Sequence, residues 1–146
     1  IRKFEARLAR NPKDHLAQAY LGSACALRAK AGFWGPTKLK FIKRGKSLLD
    51  AAVAAAPDDP RVRLIRAIGY YKVPERFGVR ATSLKDFAIL IPIARNSNGP
   101  LKLNERQAVL YYAWLAHRDE NASDAADLKA ACHQLAPDSS YGRLTR

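Results

Sequence analysis

Apolar residues recur at three- and four-residue spacing along nearly the whole chain, and prolines and glycines cut that pattern into segments. Such spacing puts apolar side chains on one face of a helix, whereas a half-buried strand needs strict alternation, which no stretch here offers. The chain is therefore expected to be all-α. Residues 2–10 read as a short helix closed by Asn11-Pro12, and a second helix runs from about His15 to Arg28, with Asp14 as its N-cap. Residues 29–37, containing Gly32, Gly35 and Pro36, read as a loop. The next helix spans about Lys38 to Ala56 and stops at Pro57.

Asp58-Asp59-Pro60 is a strong helix start. Asp59 can cap, and Pro60 fits the first helical position, where its missing N–H is not needed. That helix reaches about Lys72. After a loop with Pro74 and Gly78, a fifth helix runs from about Thr82 to Arg95, and Asn96 to Pro100 is a turn-rich break. Asn104, with Gln107 three residues on in capping-box position, is expected to start a helix ending near His117. Ser123 is expected to cap the last long helix, which ends at Ala136-Pro137, and Asp138 to Arg146 reads as a loose tail. About seven helices result. With 146 residues, 48% of them apolar, the chain can bury the core of one domain. No apolar run approaches the roughly 20 residues of a membrane span.

The prolines set a register. Ten residues after Pro12 comes Gly22, in Leu21-Gly22-x-x-Cys25, and ten after Pro57 comes Ala67, in Arg66-Ala67-x-x-Tyr70. A third copy is Tyr112-Ala113-x-x-Ala116. The intervening helices share another pattern, Gly45-x-x-x-Leu49-x-x-Ala52-x-x-x-x-Pro57 and Ala125-x-x-x-Lys129-x-x-Cys132-x-x-x-x-Pro137. Small residues let paired helices approach, larger ones fill the gaps, and the closing proline ends each turn.

These spacings resemble the tetratricopeptide repeat. The resemblance implies a right-handed α-solenoid of antiparallel helix pairs forming one domain over residues 1–137. It would hold a leading half repeat at 1–12 and repeats at about 15–57, 60–105 and 106–137, followed by the tail 138–146. The chain departs from the pattern in three ways. Its first two repeats run to about 45 residues instead of about 34. Gln18 and Arg63 stand where the pattern has Trp. Lys129 replaces an apolar residue. The two long loops also resemble each other, Phe33-Trp34-Gly35-Pro36 through Phe41 against Phe77-Gly78 through Phe87. The resemblance is to bacterial proteins with extended pairs. Ile1 in first place and the absence of Met suit a fragment, or a form whose leader has been removed. Export to the periplasm is the expectation, with the cytoplasm as the alternative.

No catalytic constellation is legible. His15, His117 and His133 lack metal-ligand spacing with each other and with Cys25 and Cys132, which read as free core thiols. No phosphate-cradling loop or nucleophile elbow is present. Asp119, Glu120, Asp124 and Asp127 surround a helix start, where they oppose the helix dipole. Neither an enzyme, nor a cofactor, nor a metal is expected.

Charge is the informative feature. The formal net charge is +13, and Lys38, Lys40, Lys43, Arg44 and Lys46 crowd nine residues, followed by Arg61, Arg63 and Arg66. Such a run serves either an anionic partner or a solvated rim. The leading expectation is a protein-binding module or scaffold that takes a peptide or acidic protein surface. The family resemblance places its concave groove on Leu16, Ala19 and Ser23, then Arg61, Leu64, Ile68 and Tyr71, then Gln107, Leu110, Trp114 and His117. Lys38, Lys40, Lys43, Arg44, Arg61 and Arg63 would converge into one basic face. Nucleic acid, bound through phosphate neutralisation, is the alternative partner.

Overall fold

The computed structural model describes residues 1–30 and 35–146, and among these the chain is helical with no strand. Eight α-helices follow in order: α1 (Arg2–Arg10), α2 (His15–Lys30), α3 (Gly35–Ala55), α4 (Pro60–Lys72), α5 (Arg80–Arg95), α6 (Leu103–Asp119), α7 (Ala125–Leu135) and α8 (Ser140–Leu144). A 3₁₀ turn, Glu75–Phe77, precedes Gly78, whose φ of +75° is the left-handed conformation glycine tolerates best. Of the loop expected at residues 29–37, Ala29 and Lys30 belong to α2 and Gly35, Pro36 and Thr37 to α3. Phe33 and Trp34 lie outside the described residues.

The helix starts follow local chemistry. The Ala17 amide donates to the Asp14 carboxylate at 2.9 Å, and the Arg61 amide donates to Asp59, with Pro60 opening α4. Two expected starts are displaced. At α6 the cap is Lys102, whose amide donates to the Glu105 carboxylate at 2.8 Å, so Asn104 lies inside the first turn. At α7 the N-cap position is Asp124 instead of Ser123.

The helices divide into two compact units, Ile1–Arg80 and Ala81–Arg146. In the first, α2 and α3 run antiparallel and cross at Gly22 and Gly45. A Cβ on Gly45 would lie 2.7 Å from the Gly22 carbonyl oxygen, and one on Gly22 would lie 2.8 Å from Leu49 Cγ. Only hydrogen fits at either place. Ala19, Leu49, Ala52, Val53, Val62 and Tyr70 close the core behind this crossing.

Tyr70 carries a hydroxyl into that core and satisfies it. The hydroxyl donates to Asp50, which also accepts from Lys46 at 2.8 Å and from Arg66 at 3.3 Å. Burial pushes the Asp50 carboxyl up, but the hydrogen bonds from Lys46 and Tyr70 and the charges of Lys46 and Arg66 outweigh it, leaving its pKa below the usual aspartate value. A carboxyl depressed by folding adds stability above its unfolded pKa of about 3.9, and that stability fades as pH falls through the lower folded value. Asp50→Asn is therefore expected to flatten the acid side of the stability curve. Melting temperatures at neutral pH and at about pH 3 check this, and equal acid losses in both proteins would refute it.

In the second unit, Phe87, Leu90 and Ala94 of α5 are buried, as are Val109, Leu110, Ala113 and Ala116 of α6 and Leu128 and Cys132 of α7. Pro92 lies inside α5, and its position is exposed, where water can satisfy a backbone group that loses its helical partner. α6 and α7 run antiparallel: Gln107 reaches Cys132 and Ala136 at one end, and His117 reaches Asp124 at the other.

The expected loose tail is ordered as α8. Ser139 caps it by accepting from the Gly142 amide at 3.0 Å, and Thr145 Oγ1 donates to the Tyr141 carbonyl at 2.8 Å. Gly142 is buried against the carbonyls of Ala136 and Pro137, where any Cβ would collide. The tail is polar in sequence, but it docks through the Tyr141 ring, edge-on to Tyr111 at 4.9 Å, and through a close backbone approach at Gly142.

Candidate binding surface

The residues expected to bind a partner divide between the units. Arg61, Arg63, Tyr71, Lys38, Lys40, Lys43 and Arg44 belong to the first, and Gln107, Trp114 and His117 to the second.

Gln107 is not a groove residue. It is only 2% exposed; its amide nitrogen donates to the carbonyls of Cys132 and Ala136, both at 3.1 Å, and its oxygen accepts from Ser139 at 2.8 Å. It ties α6 to the end of α7. Ala19, Leu64 and Leu110 are likewise core residues, 0%, 7% and 2% exposed. The family pattern put them on the open face; here neighbouring helices cover them.

Trp114 is half-buried and held between cations. Arg118 Cζ and Lys129 Nζ each lie 5.4 Å from its ring centroid, and Tyr111 packs against it at 5.8 Å. Lys129, the departure from the repeat pattern, thus covers an aromatic face instead of occupying the core. His117 is committed to Asp124 at 2.7 Å across the α6–α7 corner. In the first unit, Arg80 stands 4.8 Å from the Tyr71 ring centroid and donates to the Tyr71 carbonyl.

The basic residues do not form the single face expected. Arg44 reaches back to Glu5 at 2.6 Å, on the α1 side, and Arg63 donates to the Pro57 carbonyl. Lys38 shares a narrow slot with Lys72 at the far end of α4 from Arg61. Eleven residues of helix separate Lys72 from Arg61, about 16 Å of rise. The antiparallel turn after Pro57 causes this: the start of α3 meets the end of α4. What α3 does present is an exposed row of Lys40, Lys43, Arg44 and Ser47, one side of a helix at spacings of three and four.

Charge is segregated more sharply than the sequence reading anticipated. Ile1–Arg80 holds eighteen Lys and Arg against six Asp and Glu, a net +12, whereas Ala81–Arg146 holds eight against seven, a net +1. The first unit's own carboxylates thus leave an excess of twelve positive charges.

Both cysteines are free and buried, and burial raises their thiol pKa values, which suits inert packing. Among the described residues no cluster of His, Cys, Asp or Glu could hold a metal ion, and no helix is long and apolar enough to cross a membrane. Comparison with protein-family models, curated proteins and solved structures finds no match to this chain.

Proposed function

We propose that this protein is a binding module that takes an acidic segment of another protein on the exposed basic face of its first unit. One observation carries the reading: nearly all of the net charge, +12, lies in Ile1–Arg80. A field of one sign raises the encounter rate with an oppositely charged partner and costs the fold self-repulsion, so it calls for a partner. The antiparallel pairs α2–α3 and α6–α7, with glycine at the first crossing and Ala113 buried in α6, support the tetratricopeptide-like reading and the binding role it implies.

A phosphate backbone is also an anion. Single-stranded nucleic acid, however, is usually held by cations beside stacking rings. The exposed row of α3 carries Lys40, Lys43, Arg44 and Ser47 and no ring, which favours a carboxylate-bearing partner.

The test is fluorescence anisotropy with a labelled Glu-rich peptide and an oligothymidine of equal charge, across a salt series. The peptide is expected to bind the more tightly and to weaken as salt rises. Reversing Lys40 and Lys43 to Glu removes four charge units from an exposed helix face. It is expected to cost about tenfold or more in affinity and less than about 0.5 kcal/mol of stability. Arg44 is left alone, because reversing it would set a second carboxylate against Glu5. Indifference of peptide affinity to both salt and the double reversal would overturn the proposal. Tighter binding of the oligothymidine would replace it with the nucleic-acid reading.

A further inference from the structure

The second unit is close to neutral as a whole, yet it holds a locally cationic cleft. Apolar side chains of α5, α6 and α7 line it: Ala94 and Leu110, both buried, and Ala131 and Leu135, half-buried. Its water-accessible volume is about 310 Å³, the lower end of the roughly 300–1,000 Å³ of small-molecule sites. The remaining lining residues are Arg95, Arg106 and Gln134. Two guanidinium groups thus meet at an apolar cleft that no carboxylate lines.

The end of α5 holds Arg106 in place. Its Nε donates to the Ala94 carbonyl at 2.6 Å and its Nη2, more weakly, to the Arg95 carbonyl at 3.5 Å. These bonds occupy one edge of the guanidinium fork. The other edge, Nη1 with the second N–H of Nη2, keeps two parallel donors, the geometry that takes a carboxylate with two hydrogen bonds. Backbone carbonyls have already fixed the group, so little freedom is lost when an anion docks. Glu105, its neighbour in sequence, does not line the cleft and accepts from the Lys102 amide. The Arg95 side chain is exposed and has no hydrogen-bonding or ion-pair partner among the described residues.

We propose that this cleft binds a small aliphatic carboxylate. Arg106 takes the carboxylate on its unused edge, Arg95 adds a second positive charge, and the apolar walls cover the alkyl chain. Two independent features agree on that chemistry: the uncompensated pair of cations selects an anion, and the apolar lining selects a hydrocarbon body. The site belongs to the second unit and does not rest on the acidic-partner reading of the first.

Titration of hexanoate into the full chain at constant ionic strength, followed by ¹H–¹⁵N NMR, tests the site. Saturable shifts centred on Arg95, Arg106 and Ala131 are expected, with a Kd of about 0.1–1 mM. Hexan-1-ol keeps the chain without the charge, and acetate keeps the charge without the chain; each should bind at least about tenfold more weakly. Arg95→Gln should weaken hexanoate about fivefold or more, and as an exposed substitution it should leave the melting temperature nearly unchanged. Arg106→Lys keeps the charge and loses the fork, and should cost about tenfold; circular dichroism melting checks its fold. Absence of saturation below about 10 mM would overturn the site. So would shifts centred in Ile1–Arg80, equal binding of hexan-1-ol or acetate, or hexanoate affinity indifferent to both substitutions.

Discussion

Replacing Gly45 with valine is expected to cost the first unit about 3 kcal/mol, the upper part of the range for overpacked sites, and to lower its melting temperature by several degrees or more. The sign is set by what stands opposite. A Cβ on Gly45 would sit 2.7 Å from the Gly22 carbonyl oxygen and 3.2 Å from the Ala26 amide nitrogen, and both are backbone of a packed helix. No rotamer change relieves such a clash; α2 and α3 have to separate, and Leu49 and Ala52 lose their cover. Gly69 gives the control. It is also a helix-interior glycine, yet its added Cβ meets only side-chain atoms at 3.5 Å and beyond. Alanine there should be neutral, or stabilise by up to about 0.5–1 kcal/mol through helix propensity. Urea unfolding of the two variants measures the contrast. Equal effects would mean that the crossing is not as close as described.

Gln107→Leu is expected to destabilise the second unit by about 2 kcal/mol, because it removes three hydrogen bonds made by a buried side chain, at about 0.5–1.5 kcal/mol for each. The leucine is as apolar as its surroundings, so loss of polar pairing is the effect measured. Cys132 and Ala136 each lose the donated N–H, and Ser139 loses one of its two acceptors, keeping the Ala136 carbonyl. The same substitution should free the end of the chain, since Ser139 also caps α8. Trypsin cleavage after Arg143 and hydrogen exchange from Tyr141 to Thr145 should both accelerate. Unchanged stability and unchanged tail protection would show that Gln107 is dispensable.

What the sequence revealed of this fold lies where the physics is local. Asp59-Pro60 marks a helix start through a cap and a fixed φ, and α4 begins at Pro60 and ends at Lys72 as expected. Gly22 was legible because its place ten residues after Pro12 demanded a small residue, and the α2–α3 crossing demands one. The misreadings depend on distant partners. Asn104 and Gln107 have capping-box spacing, but so do Lys102 and Glu105, and the charged Glu105 takes the amide. A shift of two residues then turns Gln107 inward onto α7. The tail looked loose because its docking relies on distant partners, the Tyr111 and Tyr112 rings for Tyr141, and on the absence of a side chain at Gly142. The basic face was misjudged for a similar reason. Stacking of the helix from Lys38 beside the helix from Pro60 suggested that Arg61 and Arg63 would meet Lys38, while the antiparallel turn sends them to opposite ends of the helix pair.

The confinement of net charge to Ile1–Arg80 has a thermodynamic consequence. Like charges gathered in eighty residues repel one another in the folded state more than in the expanded chain, so folding stores electrostatic work. Added salt should relieve that work and raise the unit's melting temperature, the opposite of its effect on binding. An acidic partner relieves it as well. By mass action, a ligand held only by the folded form stabilises that form by RT ln(1 + [L]/Kd), about 2.7 kcal/mol at a hundredfold excess over Kd. On the proposed reading the partner is thus a folding ligand: the first unit is least stable when alone in dilute buffer and gains stability as its charge is met.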